Sequence, residues 1–226
     1  MKMDREITAI RVQKHNRDRL SIDLDGEFAF GLSRVTAAWL KVGERLSAER
    51  IEKLMKTDEL EVAYQKATRM IGYRQRTSQE IKLKLQQKGF EQQVIDQVVA
   101  RLQRADLLQD QFYARSWVEN RNDSHPRSRR QIRYELRMKG IPDQMIDNAL
   151  MESAQDEELA LKAAAQYARK ITTTDRALFS RRMASFLARR GFSFEIARSI
   201  VQTLTHGSDF DQSYTIKNED DEHGKY

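Results

Sequence analysis

Residues 77–98 read TSQEIKLKLQQKGFEQQVIDQV, and the pattern returns after 51 residues as SRRQIRYELRMKGIPDQMIDNA at 128–149 and again as FSRRMASFLARRGFSFEIARSI at 179–200. A basic residue and a glycine stand near the centre of each copy, and four apolar columns stay in step around them without an insertion. The central glycines are Gly89, Gly140 and Gly191. The chain is therefore an internal repeat. Units of this size bury an apolar face by stacking on their neighbours, which favours an extended binding surface over a closed catalytic pocket.

Each repeat is predicted to contain three helices. In the first repeat they run from Asp58 to Tyr73, from Thr77 to Lys88 and from Glu91 to Arg104. Thr77 and Ser128 begin capping boxes, in which the first side chain accepts a hydrogen bond from the amide three residues later. The third repeat lacks this box, and Asp175 or Ser180 is its candidate cap. The central glycine is predicted to end the second helix in a left-handed conformation.

The residues before the repeats predict a small sheet with helices. Polar and apolar residues alternate over residues 6–32, and Asp25-Gly26 is a hairpin signal, so we expect a three-stranded meander. A short helix around Val35–Leu40 and another after Ser47 are expected to cover the apolar face of this sheet.

The predicted fold is mainly α, with three tandem three-helix repeats that form an elongated, curved, solenoid-like body after a small β-meander with helices. The predicted units are residues 1–57, then the repeats at 58–107, 108–157 and 158–206, and an acidic tail at 207–226. The composition of the tail predicts disorder, and we expect the tail to compete with partners for the basic faces.

The amino-acid composition limits the classes of function that the chain can have. The chain has no cysteine, its four histidines are isolated, and it lacks a nucleotide-binding glycine pattern. We therefore predict no catalytic residue, no metal and no cofactor, and a protein that is not an enzyme. The absence of a signal peptide and of a long apolar run predicts a cytoplasmic protein that does not enter membranes, and we expect a monomer.

Basic charge recurs with the repeat. Three windows one period apart, 66–88, 117–139 and 168–190, hold seven basic residues each, against one, three and one acidic residues. The whole chain carries only +6, so the phased windows favour an anionic partner. The alternative is that lysine and arginine, as good helix formers, decorate solvated faces.

The densest group of basic residues surrounds the second helix of the second repeat. Arg129, Arg133 and Arg137 are spaced i, i+4 and i+8 and must share a face, where their mutual repulsion makes an external anion a reasonable compensation. The alternative is a charged outer face. For Tyr113 and Trp117, packing between repeats is favoured over stacking on bases. The candidate residues for binding a partner or nucleic acid are Arg74, Arg76, Lys82, Lys88, Arg121, Arg127, Arg129, Arg130, Arg133, Arg137, Lys139, Arg181, Arg182, Arg189 and Arg190.

Over residues 58–206 the chain resembles the RecX family, the regulators of the RecA recombinase. The residues that carry the resemblance are Tyr73–Glu80 (YRQRTSQE), Lys88-Gly89-Phe90, Leu107–Asp110 (LLQD), Phe112–Val118 (FYARSWV), Pro126-Arg127 and Lys139-Gly140-Ile141. The basic positions that match the family pattern are Arg76, Arg121, Arg127 and Lys139. The third repeat departs from the pattern, with Leu178 where the other repeats have arginine.

The resemblance implies a non-enzymatic modulator, most often an inhibitor, that binds the groove of the RecA–DNA filament. It would suppress ATP hydrolysis, strand exchange and co-protease activity. Two alternatives stay open: a protein that binds single- or double-stranded DNA independently of RecA, and a helical scaffold for another protein.

Overall fold

The structure is a computed structural model that describes residues 4–173 and 175–206. It divides after Gln109 into two compact units, and the first repeat belongs to the first unit with the sheet. The second and third repeats form the second unit. The predicted acidic tail lies outside the described residues.

The first unit begins with an antiparallel sheet of four strands in the order β3-β2-β1-β4. The strands are β1 (Arg5–Gln13), β2 (Asn16–Leu24), β3 (Glu27–Ser33) and β4 (Arg45–Leu46). The hairpin at Asp25-Gly26 is confirmed, since both residues have positive φ, at 53° and 90°. The three-stranded meander predicted over residues 6–32 is confirmed as β1, β2 and β3. The sequence missed the fourth strand, β4, because two residues are too short to show alternation.

Two helices cover the sheet, α1 (Arg34–Ala37) and α2 (Ala48–Tyr73). The sequence predicts two helices in the region that α2 occupies, with a start at Asp58, and this is wrong. Asp58 is instead buried inside the continuous helix, where its carboxylate accepts hydrogen bonds from the backbone amide of Ser33 and from Arg19. An acidic residue that resembles a helix cap therefore joins α2 to the sheet.

The remaining helices follow the predicted three-helix pattern. They are α3 (Ser78–Gln86), α4 (Gln92–Arg104), α5 (Asp110–Asp123), α6 (Arg129–Met138), α7 (Asp143–Met151), α8 (Asp156–Ala168), α9 (Arg176–Arg189) and α10 (Phe194–His206). Thr77 and Ser128 accept from the predicted amides, at 3.1 Å each. Asp175, not Ser180, caps α9. All three central glycines have positive φ, between 74° and 89°.

Each repeat buries its own apolar columns. The aligned pairs from the second helices have no exposed surface, and separate clusters of buried side chains surround them. These pairs are Ile81 and Leu85, Ile132 and Leu136, and Met183 and Leu187. A repeat therefore has its own core and does not depend on its neighbour for one, unlike the stacked units that the period alone predicts.

Candidate partner-binding surfaces

The predicted arginine row of α6, which consists of Arg129, Arg133 and Arg137, does lie on one side of the helix. That side faces acceptors within the same unit. Arg129 donates to the carbonyl of Leu150 at 2.8 Å and to Gln155, while Arg133 pairs with Asp147 and Arg137 with Asp143. The compensation that the sequence assigns to an external anion is therefore supplied within the unit, by α7 and the start of α8.

The pKa values of Arg137 and Asp143, which pair at the end of α6, reflect the same internal contact. Hydrogen bonding to Asp143 raises the pKa of the Arg137 guanidinium above its ordinary value, and the same bond lowers the pKa of the Asp143 carboxyl. Both groups are exposed, at 55% and 58% of their side chains, so solvent screens the pair. The pair orients Arg137 more than it stabilises the fold.

A second set of basic residues converges on Glu135, whose side chain is 12% exposed. Its two oxygens accept from Arg121 Nε and Trp117 Nε1, both at 2.8 Å, and from Arg127. Lys139 lies over the Trp117 ring with its Nζ 4.9 Å from the ring centre. The residues that match the family pattern in this repeat are thus engaged with one carboxylate and one indole.

The aromatic pair on α5 has an internal role. Tyr113 and Trp117 stack with ring centres 5.9 Å apart, and both contribute to the core of the second repeat. Packing, rather than base stacking, is therefore the role that the geometry supports. The expectation that they pack between repeats is wrong, since their partners belong to α5, α6 and α7.

The second and third repeats meet where α9 ends. Arg190 donates from Nη1 to the carbonyl of Pro126 at 3.1 Å, and the amide of Ser128 donates to the carbonyl of Arg190 at 3.1 Å. A Cβ on Gly191 would lie 2.6 Å from Ser128 Oγ and 2.8 Å from Gln131 Cβ. Burial lowers the pKa of Arg190, and the nearby Arg127 and Arg121 lower it further. Arg190 is therefore part of a tight joint.

In the first repeat most of the candidate residues are also engaged. Arg76 Nε donates to the carbonyl of Met70 near the end of α2, at 3.0 Å, which satisfies one of the acceptors that a helix end leaves open. Arg74 pairs with Glu80, and Lys82 pairs with Asp96. Lys88 is exposed.

Two exposed rows remain on the second helices of the second unit. On α6 the row is Arg130, Tyr134 and Met138, with Tyr134 58% and Met138 70% exposed. On α9 the residues one period later are Arg181, Ser185 and Arg189, all exposed, and Arg182 is exposed beside them. Within the described residues, none of these arginines makes a side-chain hydrogen bond or an ion pair. We call these the α6 row and the α9 row.

The structure thus separates the candidate residues into two groups. Arg130, Arg181, Arg182 and Arg189 lie on open surfaces, whereas most of the others hold helices, turns and the joint in place. Tyr134 and Met138 were missed because large apolar residues in a helical pattern are first read as core. Their spacing of four from Arg130, two residues out of step with the core pair Ile132 and Leu136, was the available signal.

Within the described part of the chain, no group of three or more acidic or histidine side chains is arranged to hold a metal ion. No described helix is both long enough and apolar enough to span a membrane.

Comparison with family models matches four consecutive parts of the chain. Residues 5–47 match the regulatory protein RecX N-terminal domain. Residues 63–102, 110–150 and 155–201 match the first, second and third three-helix domains of RecX. The matched segments include the sheet and all three repeats.

Individual relatives give the same result. The chain is 31% identical to the regulatory protein RecX of Leuconostoc citreum over 202 residues, which covers 88% of this chain and 76% of that protein. It is 29% identical to the RecX protein of Clostridium acetobutylicum, with 88% and 95% covered. Among solved structures, a crystal structure of regulatory protein RecX superposes with a TM-score of 0.65 at 27% identity, covering 87% of this chain and 98% of that one.

Proposed function

Because the chain belongs to the RecX family of regulatory proteins, we propose that it regulates the RecA recombinase by binding the RecA–DNA filament through the α6 and α9 rows. It acts as an inhibitor without catalytic chemistry of its own. By occupying the filament groove, it suppresses ATP hydrolysis, strand exchange and co-protease activity.

The observation that carries this placement is the exposure of the α6 row. An arginine, a tyrosine and a methionine on successive turns are residue types enriched at protein interfaces, where aromatic and arginine side chains supply much of the binding energy. Tyr134 and Met138 are more than half exposed, although their helix has a fully buried opposite side. An apolar row next to a cation fits a protein surface with a pocket and an acidic rim.

The α9 row supports the same proposal with a different chemistry. It has arginine at both positions where α6 has arginine and methionine, and a small serine between them. Guanidinium groups without an internal partner are suited to bidentate contacts with phosphates or carboxylates. The α6 row therefore provides apolar contact with the recombinase, and the α9 row provides contact with charge on the filament.

The test uses RecA assembled on single-stranded DNA, with ATP turnover and filament length followed as the protein is added. The variant is Tyr134→Ala/Met138→Ala, and the matched control is Phe112→Ala/Met151→Ala, which removes an equally exposed aromatic and methionine of the same unit. We expect the first variant to need at least about tenfold more protein for half-inhibition, and the control to match the parent protein.

Equal inhibition by the two variants, with unchanged helical circular dichroism, would contradict the placement. Loss of turnover at constant filament length would support blockade of the groove, whereas shortening of the filaments would replace it with a mechanism of filament destabilisation.

The α9 row also favours a second candidate function, direct binding of DNA independently of RecA. In that case affinity for naked DNA falls steeply with salt, because each neutralised phosphate releases counterions. Tight binding to naked DNA at about 150 mM salt that is lost in Arg181→Gln/Arg189→Gln would favour this candidate, and tight binding only to filaments would exclude it.

A further inference from the structure

A basic cleft lies in the first unit, whereas the α6 and α9 rows belong to the second unit. Two adjoining cavities of about 520 and 380 Å³ lie between the sheet, α1 and the middle of α2. Asp18, Gln65 and Arg69 line both cavities, so the cavities form one continuous cleft. None of the basic residues considered above as partner-binding candidates lines it.

The charge of the cleft is mostly uncompensated. Arg34, Lys66 and Arg69 line it and are exposed, and in the described ranges 4–173 and 175–206 none of the three makes a side-chain hydrogen bond or an ion pair. A fourth cation, Arg19, is already paired with Asp58. The only carboxylate among the lining residues is Asp18, so the lining carries a net positive charge.

Two exposed aromatic side chains lie within one or two helical turns of these cations along the chain. On α2 the spacing of Lys66, Arg69 and Tyr73 places the three on one side of the helix, and Tyr73 is 82% exposed. On α1, Val35 lines the larger cavity, and Trp39, four residues later in the turn that follows α1, is 87% exposed. Large aromatic rings exposed to this degree have no role in the core and lose little by contacting a partner.

We propose that this cleft binds single-stranded nucleic acid. Arg34, Lys66 and Arg69 contact successive phosphates, and unpaired bases stack on Tyr73 and Trp39. A basic track with flanking aromatic rings is the combination that single-stranded nucleic acid requires, because its backbone is charged and its bases expose their faces. A duplex, whose bases are already stacked on each other, satisfies only the phosphate contacts. An acidic protein segment would also satisfy the charges, but it offers nothing that stacks on two rings.

This site does not rest on the RecA proposal. It lies in the first unit and is built from the N-terminal sheet, α1 and α2, whereas the α6 and α9 rows belong to the second unit. Binding of nucleic acid at the cleft is therefore measured without RecA present, and its failure would leave the filament proposal standing.

The experiment measures binding of a fluorescent oligothymidylate of about 20 nucleotides to the full chain at several salt concentrations. The variant Arg34→Gln/Arg69→Gln is expected to bind about tenfold or more weakly. The slope of log affinity against log salt is expected to fall by about 1.4, because two phosphate contacts are lost. The matched control Arg50→Gln/Arg115→Gln removes the same charge from exposed arginines outside the cleft, and it is expected to bind as the parent does.

Stacking has its own readout, since Trp39 and Trp117 are the only tryptophans of the chain. In a Trp117→Phe background, oligothymidylate is expected to quench Trp39 fluorescence, while inorganic polyphosphate competes for the cations without quenching. Equal weakening by the control variant, absence of quenching, or equally tight binding of poly-glutamate would each overturn the proposal; the last would assign the cleft to an acidic protein segment.

Discussion

Replacing Gly191 by alanine tests whether the joint between the second and third repeats is as tight as the structure indicates. Gly89 and Gly191 occupy the same position in their repeats and have nearly the same backbone conformation, with φ of 84° and 89°. A Cβ on Gly89 would meet no atom within 4 Å, whereas a Cβ on Gly191 would lie 2.6 Å from Ser128 Oγ. Gly89→Ala is therefore a control that shares the backbone strain but lacks the clash.

The stability lost in Gly191→Ala is expected to exceed the stability lost in Gly89→Ala by the energy of the clash. A left-handed alanine costs about 1–2 kcal/mol, and this applies to both variants. Forcing apart a packed contact adds about 1–3 kcal/mol at Gly191. The displaced hydroxyl of Ser128 also caps α6 by accepting from the amide of Gln131, so its movement weakens a cap worth about 1 kcal/mol. We expect Gly191→Ala to lose about 2–4 kcal/mol more than Gly89→Ala.

Native-state amide hydrogen exchange measures the two effects separately, because the variants lie in different units and a single unfolding midpoint would mix them. The expected result is a large loss of protection in α6 and α9 for Gly191→Ala and a small loss in α3 and α4 for Gly89→Ala. Equal losses in the two variants, or intact protection at the start of α6, would refute the close packing.

Three further predictions concern internal contacts. Glu135→Gln leaves two partly buried arginines without a carboxylate, and native-state hydrogen exchange is expected to show a loss of about 3 kcal/mol in the protection of α5 and α6, whereas the exposed Glu119→Gln stays within about 0.5 kcal/mol. Asp58→Asn removes the charge that joins α2 to the sheet, and native-state hydrogen exchange is expected to show a loss of about 2–3 kcal/mol in the protection of β3 and α2; unchanged protection would contradict this role. In NMR titrations, Arg137→Gln is expected to raise the lowered pKa of Asp143 toward its ordinary value. In the parent protein the small contribution of this pair is present above the unfolded pKa of the carboxyl and is lost as pH falls through the lower folded pKa.

Much of the fold follows from local sequence patterns. The spacing of the glycines, the caps at Thr77 and Ser128 and the apolar columns each act within a few residues, so they predict the helices of the repeats directly. The helix predicted after Ser47 does begin there as α2. The predicted break before Asp58 is wrong because Asp58 has the chemistry of a cap but is used for a contact with Ser33, which is distant in sequence. Two-residue strands such as β4 have no pattern to detect.

The candidate site was harder to predict because a count of basic residues does not show which groups their side chains face in the folded protein. The sequence shows that Arg129, Arg133 and Arg137 share a side of α6, but the acceptors that face them come from α7 and α8, and only the tertiary structure brings those together. The exposed residues Arg130 and Tyr134 each follow a paired arginine by one residue, so they lie on a different side of the same helix. A basic helix in a sequence therefore predicts an anion, but that anion can be an internal carboxylate.

The proposal that the α6 and α9 rows bind the filament is tested most directly by comparing the arginines that are unpaired within the described residues with the paired arginines in the inhibition of RecA ATP turnover. Arg130→Gln/Arg181→Gln and Arg133→Gln/Arg137→Gln remove the same charge from the same two-repeat unit. With both variants folded by circular dichroism, we predict that the first needs at least about tenfold more protein for half-inhibition and that the second stays within about threefold of the parent. The reverse order, with the paired arginines mattering more, would contradict the account.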